Sequence, residues 1–406
     1  MNKNRLLLVF QIPAYRWLWA SSFASATGFI PMMMAQGWLL LSITNSPLIV
    51  GLAPALGSAA MMFSSPWGGV LSDRLNRRTI LIFAQSTITL SAFSLGILTI
   101  LGLIEVWHIL VAAVVDGISR GFQNPARSTL MFDLVGRNAL INAAAGQMMS
   151  FQVASILGPL LGGIIMSSFG VGTLFLLVGL SFLISVLLIF RVSSMPPNLP
   201  HAKSVIASLK EGLSFAIHNK AIRIILWTFF ITQSLAFSTW TMFPVITRDN
   251  LQAGPIVLGL ISTLQGCGGV AGGLILSGMG DVKNIGRLFF VASIASGCFM
   301  ILFALSRNVY LSLFLITLSG LCGTTFMILS GTLIQKISPE EMRGRLMGLH
   351  SLLMSGIGLG GLIMGSIATL WGVTTAIISG SIIVTSNAIT IIPQSRYITE
   401  RSNKTY

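Results

Sequence analysis

Charged side chains are scarce in this 406-residue chain: Asp, Glu, Lys and Arg together make up 8% of it, and Asp and Glu number 10. An ordinary soluble domain carries about 25% charged residues. Hydrophobic residues make up 54%, and the mean hydropathy is +0.87. Because so apolar a chain cannot cover its surface with groups that water solvates, its composition excludes a soluble protein and predicts an all-α integral membrane protein.

Cysteine and histidine are also rare. The three cysteines, Cys267, Cys298 and Cys322, all lie in apolar runs, which argues against disulfides. The four histidines are scattered without metal-ligand spacing, and the sequence has neither a Walker-type phosphate loop nor a motif around a serine or cysteine nucleophile. These absences predict a protein that is not an enzyme, that binds no metal or cofactor and that is not driven directly by ATP.

Apolar runs long enough to cross a bilayer recur along the whole chain. A crossing helix needs about 20 apolar residues, and the sequence predicts 12 transmembrane helices, spans 1 to 12, at 17–41, 47–71, 79–101, 106–131, 140–167, 170–191, 223–248, 255–279, 285–305, 308–333, 343–369 and 373–393. A polar, partly amphipathic stretch with three prolines separates spans 6 and 7. We therefore predict an N-terminal six-helix bundle at 1–191, a cytoplasmic linker at 192–222 and a C-terminal six-helix bundle at 223–406.

Basic residues predict the orientation of the spans. We number each gap between spans by the span that precedes it. Basic residues concentrate in the even-numbered gaps and at both termini, and we count Arg127 among them. The odd-numbered gaps carry only Arg248 and Arg307. This asymmetry predicts that both termini are cytoplasmic, in a bacterial inner membrane. The net charge of +14 then reflects loops that face the headgroups of the lipid bilayer. Because the basic residues are spread over many loops, they do not predict binding to nucleic acid.

The two halves of the chain resemble each other. The segment SPLIVGL at 46–52 reappears as GPIVLGL at 254–260, and the same offset carries Asp73 onto Asp281. Further along, Thr129-Leu130 parallels Thr332-Leu333. Duplicated halves are typical of secondary transporters, in which the substrate site lies near the membrane midplane. The repeat therefore predicts two pseudo-symmetric bundles.

The gap between spans 2 and 3 reads GGVLSDRLNRRTIL at 68–81. It resembles the signature loop of the major facilitator superfamily, G-x-x-x-D-R-x-G-R-R. Asp73, Arg74, Arg77 and Arg78 fall on its charged positions. Asn76 stands where the family has glycine, and asparagine also tolerates left-handed backbone angles. The resemblance implies a gating role for this loop.

In that role, Asp73 would reach the N-terminus of span 11, near 342–344, when the cytoplasmic side is shut, because a carboxylate is favoured at a helix N-terminus. Arg77 or Arg78 could pair with Asp133 at the end of span 4. Such contacts would hold one state of an alternating-access cycle. The alternative is that the loop only anchors the topology through its positive charge.

Span 5 contains Gly158, Pro159, Gly162 and Gly163, which resemble the superfamily's antiporter motif, G-x-x-x-G-P-x-x-G-G, with Ala154 at the first glycine. The resemblance implies an exporter that exchanges its substrate for protons. Glycines at four-residue spacing also let helices approach closely, so generic helix packing is the alternative.

Ionisable residues inside spans are few, and each is a candidate for proton or substrate coupling. Asp116 and Arg120 share one face of span 4, since they are four residues apart. Asp116 is either half of a structural ion pair or a proton-binding carboxylate modulated by Arg120. His350 in span 11 is a further candidate because histidine titrates near neutral pH, although a buried structural histidine is the simpler interpretation.

The sequence following span 4 also resembles the superfamily branch of bacterial enterobactin and macrolide exporters. Members of that branch show A-R-x-x-L-x-x-L-V and then L-x-N-A. Ala126, Arg127 and Leu130 fall on the first pattern, with Leu134 and Val135 one position later than it has them, and residues 140–143 match the second. We therefore predict a monomeric, proton-coupled exporter of a small organic molecule such as a drug, macrolide or siderophore, working by alternating access. An uptake symporter or uniporter, and a sensor on the same fold that does not transport, remain alternatives.

Overall fold

A computed structural model describes residues 9–194, 205–280, 282 and 284–404. Within them the chain is helical and contains no strand. The first helices are α1, Pro13–Thr44; α2, Pro47–Arg74; α3, Arg77–Ile100; and α4, Val106–Ile189.

The helices after α4 are α5, Val205–His218; α6, Lys220–Leu235; α7, Phe243–Val245; α8, Pro255–Gly278; α9, Ile285–Leu305; α10, Val309–Ile337; α11, Glu340–Leu353; α12, Gly356–Trp371; α13, Val373–Ile391; and α14, Ser395–Lys404. In the part of the chain that is described, ten helices are long and apolar enough to cross a membrane.

Helix α4 is interrupted twice, although its hydrogen-bond pattern runs through 84 residues. Gly136 has φ 69° and ψ 177°, and Gly170 has φ 84° and ψ 166°. Side chains strongly disfavour this region of backbone angles, so glycine is needed at both breaks. We call the three segments α4a (106–135), α4b (137–169) and α4c (171–189).

Polar residues set several helix starts. The side chains of Asn76, Asn219 and Asn308 accept hydrogen bonds from the first free backbone amides of α3, α6 and α10. Glu105 and His108 form a capping box at the start of α4a. Asn76 has φ −62° and ψ 116°. The tolerance of asparagine for left-handed angles is therefore not used at this position, because Asn76 serves as an N-cap in extended backbone.

The chain divides into two compact units. Unit 1 comprises residues 1–44 and 56–202, and unit 2 comprises 45–55 and 203–406. The predicted boundaries at 191 and 223 stay a prediction. Residues 195–204 of the predicted linker lie outside the described residues. The rest of the linker includes α5, which packs on α11, where Arg345 Nη1 lies 2.6 Å from Glu211 Oε2.

In unit 1, α1 packs against all three segments of α4. Tyr15 Oη donates to the carbonyl of Ala143 at 2.8 Å in α4b, and Ser21 Oγ and Ser185 Oγ of α4c lie 2.7 Å apart. Ser185 Oγ also donates to Gln85 Oε1 of α3 at 2.6 Å. Such buried polar contacts are needed where neither water nor lipid can satisfy the groups.

Helices α2 and α4a pack through glycine. A Cβ atom added to Gly117 would lie 2.1 Å from the carbonyl oxygen of Gly57, and one added to Gly121 would lie 2.0 Å from Ser64 Oγ. Small residues at four-residue spacing allow this close approach. The contact fixes the rotation of α4a, and the candidate side chains Asp116 and Arg120 lie on that segment.

Unit 2 is built around an apolar cluster that includes Ile225, Phe229, Phe289, Phe326 and Leu346. Its helices are more often irregular than those of unit 1. A 3-10 segment, Phe237–Met242, and a π-helical segment, Ile246–Asn250, follow α6, and a short turn at 354–355 separates α11 from α12. The sequence had predicted unbroken helices there, across spans 7 and 11.

Candidate functional site

The loop between α2 and α3 ties three helix ends of unit 1 together. Arg77 Nη1 lies 2.9 Å from Asp133 Oδ2, and both side chains are nearly buried. Arg78 Nη2 donates to the carbonyl of Phe190 at 2.7 Å, and Asn76 Nδ2 donates to Ser194 Oγ at 2.5 Å. Of the two arginines left open by the sequence, Arg77 pairs with Asp133, while Arg78 holds the end of α4c.

The other members of this loop contribute less to the described contacts. Arg74 is exposed at the end of α2. The side chain of Asp73 lies outside the described residues, so its expected contact with the start of span 11 stays a prediction. Burial raises the pKa of the Asp133 carboxyl above its ordinary value, and the neighbouring Arg77 guanidinium only partly offsets that rise.

The predicted antiporter motif lies in α4b. A Cβ atom added to Gly158 would meet the carbonyl oxygen of Thr27 at 3.0 Å, and one added to Gly162 would meet Pro31 Cβ at 3.1 Å. Pro159 lies inside the same segment, and Gly163 is buried there. The motif therefore packs α4b against α1 at Pro31, the proline inside α1. Its role in antiport stays a prediction.

Asp116 lies in the interior of unit 1 on α4a, with 4% of its surface exposed. Its Oδ2 accepts a long hydrogen bond of 3.4 Å from Gln36 Nε2 on α1. Its Oδ1 makes no hydrogen bond of good geometry, although the Ser91 hydroxyl of α3 is a neighbouring donor. A buried carboxylate oxygen without a donor is costly while the group is ionised. This arrangement suits a carboxyl group that alternates between protonated and ionised forms.

Arg120 does not form a direct ion pair with Asp116. Its guanidinium carbon instead lies 3.7 Å from the centroid of the Phe29 ring on α1. A guanidinium over an aromatic face is held by the ring quadrupole. The same face of α4a therefore carries a carboxylate and a guanidinium that are close enough to interact electrostatically and are held separately.

Arg127 is the residue that sequence reasoning missed. We had counted it among the loop residues, which is wrong: it lies within α4a, and its Nη1 donates to Ser25 Oγ of α1 at 3.3 Å. Its Nε and Nη2 have no hydrogen-bond partner. The seven-residue interval from Arg120 was the available signal, because two helical turns return a side chain to nearly the same face.

His350 lies in the packed interior of unit 2, near the C-terminal end of α11. Its Nε2 lies 2.9 Å from Ser330 Oγ, and its ring stacks on Phe229 with centroids 3.9 Å apart. These surroundings favour a structural histidine over a titrating one. Among the residues described, no three His, Cys, Asp or Glu side chains come together as metal ligands would.

Curated relatives match this chain over nearly all of their length. A protein of Shigella flexneri named enterobactin exporter EntS is 24% identical over 375 residues, which cover 91% of this chain and 90% of the relative. The protein of the same name from Escherichia coli O81 (strain ED1a) is 25% identical over 376 residues, with the same coverage.

Solved structures of transporters share the fold. The nucleoside transporter NupG has a TM-score of 0.71 and 14% identity, and the match covers 95% of this chain and 98% of that one. A POT family transporter in complex with 5-aminolevulinic acid has a TM-score of 0.72 and 13% identity, with coverages of 95% and 96%. A bacterial homologue of the lysosomal transporter Spinster, in an inward-facing and unoccupied conformation, has a TM-score of 0.69, with coverages of 100% and 98% at 14% identity.

The family model described as "transmembrane secretion effector" matches residues 7–403. The match extends through both units to the last turn of α14, and it includes the loop between α2 and α3 and the charged face of α4a. The chain is therefore a multi-pass membrane transporter, and it belongs to the transmembrane secretion effector family of the major facilitator superfamily.

Proposed function

We propose that this protein exports a small organic molecule from the bacterial cytoplasm across the inner membrane, in exchange for protons, by alternating access. The relatives named enterobactin exporter support the direction, since they match over nine tenths of both chains. Asp116 supports the coupling, because it is a buried carboxylate with one oxygen that makes no hydrogen bond of good geometry. Of these observations, the Asp116 carboxylate carries the mechanism.

Twelve crossings with both termini in the cytoplasm are part of the proposal. One candidate membrane helix, Ala139–Ile189, has 51 residues, far more than the roughly 20 that cross a bilayer. The break at Gly170 divides it into two crossings. Segment α4a adds another crossing. It is less apolar than the other crossings because it contains Asp116, Arg120 and Arg127.

In the proposed cycle, Asp116 holds a proton that enters from outside and releases it inside. The Arg120 guanidinium on the same helix face favours the ionised carboxylate, and so helps the proton to leave. Substrate binding from the cytoplasm follows deprotonation, so that proton and substrate occupy the site in turn. Asp73, Arg74, Arg77 and Arg78 around the loop between α2 and α3, together with Asp133 near the end of α4a, hold one state of the cycle.

The irregular helices of unit 2 support a moving role for that half. A 3-10 stretch within a helix often marks a hinge, and π-helical turns are frequent at functional sites. Both follow α6, and the turn at 354–355 interrupts the eleventh predicted span. Backbone that departs from α-helix within a membrane is typical of transporter sites.

Proton flux in everted membrane vesicles tests this function. Vesicles that contain the protein are energised, and catechol siderophores, macrolides and lipophilic cations are added while the pH gradient is followed by fluorescence. A compound that collapses the gradient only when the protein is present supports proton-coupled export. If no compound does so while the protein is folded and abundant, export is contradicted, and uptake assays in intact cells then decide between a symporter and a protein that does not transport.

A further inference from the structure

The charged face of α4a continues from Asp116 through Arg120 to Arg127. Arg120 and Arg127 lie about 10.5 Å apart along the helix axis, and both meet α1, at Phe29 and Ser25 respectively. Phe29 and Ser25 are themselves one helical turn apart, so the four side chains form a continuous strip between α1 and α4a. We call these four residues the arginine strip.

Among the described side chains of unit 1, no carboxylate pairs with an arginine of the arginine strip. Between residues 1 and 202 the acidic residues are Asp73, Glu105, Asp116 and Asp133. Asp133 pairs with Arg77, Glu105 belongs to the capping box at the start of α4a, and Asp73 lies at the end of α2. Asp116 remains as one carboxylate for two guanidinium groups, and it pairs directly with neither.

The arginine strip also contains guanidinium N–H groups that have no hydrogen-bond acceptor. Nε and Nη2 of Arg127 are buried without a hydrogen-bond acceptor, and both arginine side chains remain partly accessible to solvent. A buried cation without a counterion is unfavourable, and intramembrane charges of this kind mark sites of function. A guanidinium presents a planar fork of donors that fits the two oxygens of a carboxylate.

We propose that the arginine strip binds an anionic oxygen group of the exported molecule, with Arg127 as the principal donor and Arg120 and Phe29 holding the part that carries an aromatic ring. The substrate is then an organic anion that bears a carboxylate or an ionised phenol beside an aromatic system. This inference rests on the proposed export function, and it defines the class of molecule exported.

A matched pair of ligands tests the charge requirement. Binding of 2-naphthoate and of its neutral isostere 2-naphthamide to the purified full-length protein is measured by equilibrium dialysis, with empty detergent micelles as the blank. Naphthoate is expected to bind the wild-type protein at least about tenfold more tightly, since hydrogen bonds between ionised partners are the strong ones. Equal binding of the two ligands to the wild-type protein would overturn the proposal.

Variants assign the preference to the strip. Arg127→Gln is expected to remove the preference for naphthoate, and Arg127→Lys to keep part of it, because lysine retains the charge without the fork. Arg191→Gln, which removes an exposed arginine stacked on Trp17, is the matched control and is expected to keep the full preference. A preference for naphthoate that survives in Arg127→Gln would contradict the assignment to Arg127. If Arg127→Gln does not fold, Arg127→Lys replaces it, and loss of most of the preference in that variant supports the assignment.

The vesicle assay separates this inference from the function on which it rests. Flux that is proton-coupled but equal for anionic and neutral substrates overturns the arginine strip as a substrate site and leaves export standing. Binding of naphthoate that depends on Arg127, without flux of any compound, supports the site and contradicts export.

Discussion

The two units differ in where their chemistry lies. At the offset that aligns Thr129 with Thr332, the positions of Asp116, Arg120 and Arg127 in α4a correspond to Ser319, Gly323 and Ser330 in α10. The first helix is charged along its length, whereas the second has its one charged side chain, Lys336, in its last turn and contributes Phe326 to the apolar cluster of unit 2. Helices of that unit are broken.

This contrast indicates a division of labour after duplication. Charged groups of unit 1 have fixed positions, because Gly117 and Gly121 lock α4a against α2. Unit 2 contains no such charged face in α10, but it has turns and 3-10 and π-helical segments that can change conformation. We infer from the comparison that the charged groups of the proposed coupling lie in unit 1 and that the irregular helical backbone lies in unit 2.

The largest expected effect is at Asp116. Asp116→Asn is expected to abolish proton-coupled flux, since the amide cannot exchange a proton, while the folded protein remains in the membrane. Proton-coupled flux is measured as the change in pH gradient that an added compound causes in everted vesicles. Size-exclusion chromatography of the purified variant checks that it is folded. Ser319→Ala, at the corresponding position of α10, is the control and is expected to leave flux intact. Normal coupling in Asp116→Asn would remove Asp116 as the proton site.

The next largest effect concerns the ion pair between Arg77 and Asp133. Arg77→Met alone is expected to lower the free energy of unfolding by about 3–5 kcal/mol, the cost of leaving a buried charge unpaired. Arg77→Met together with Asp133→Leu is expected to cost much less, because burial already opposes the ionised Asp133, as the direction of its pKa shows. Thermal unfolding in detergent compares the variants.

Additive losses in that double variant would mean that the two side chains act independently. A gating role predicts more than a change in stability. Transport flux should also change in Arg77→Met and in Asp133→Leu, each measured alone at a temperature at which the variant remains folded. Unit 2 offers the surface pair Arg345 and Glu211 as a control. Its disruption is expected to change stability by less than about 1 kcal/mol, because exposed pairs contribute little.

Packing around the broken helices of unit 2 provides a third test. A Cβ atom at Gly360 of α12 would fall 1.5 Å from the carbonyl oxygen of Ser234, at the end of α6. Gly360→Ala is therefore expected to destabilise the protein by about 1–3 kcal/mol or more and to slow flux, since it displaces the backbone beside the 3-10 segment. Gly273→Ala is the control, because its Cβ would meet only Ile328 Cδ1 at 3.6 Å. Equal stability of the two variants would contradict this account of the packing.

The smallest expected effect is at His350. His350→Gln is expected to cost about 1 kcal/mol of stability, the net contribution of a typical hydrogen bond, and to leave the pH dependence of flux unchanged. The pH profile of vesicle flux is the measurement. A shifted profile would show that unit 2 also carries a titrating group, and the contrast between the units would then be weaker than we infer.

Much of this molecule follows from its sequence, because membrane solvation leaves few choices for an apolar chain. The all-helical class, the membrane location and the superfamily follow from long apolar runs and from the charged loop around Asp73. The sequence could not choose between Arg77 and Arg78 as the partner of Asp133. That choice depends on how α3 is rotated, and hence on distant contacts such as Phe190 with Arg78.

The errors have physical reasons as well. Arg127 was assigned to a loop because arginine normally avoids the membrane interior, and only the contact with Ser25 identifies it as part of the packed face. The breaks in spans 7 and 11 were missed because hydrophobicity measures solvation and does not report backbone geometry. The N-cap role of Asn76 was not predicted because a motif position does not specify which of two asparagine roles, left-handed turn or N-cap, the chain uses.

The two turns inside α4 have a consequence for chirality. Nothing lies within 4 Å of the Cβ position of an L residue at Gly136 or Gly170, so an L side chain would be opposed there by the backbone angles and not by neighbouring atoms. The positive φ with ψ near 180° is the mirror image of the extended region that ordinary residues prefer. A D-amino acid would therefore be relaxed where its L-enantiomer is strained. A semisynthetic protein with D-alanine at these two positions should keep its helix ends and lose the extra backbone entropy that glycine brings to the unfolded chain.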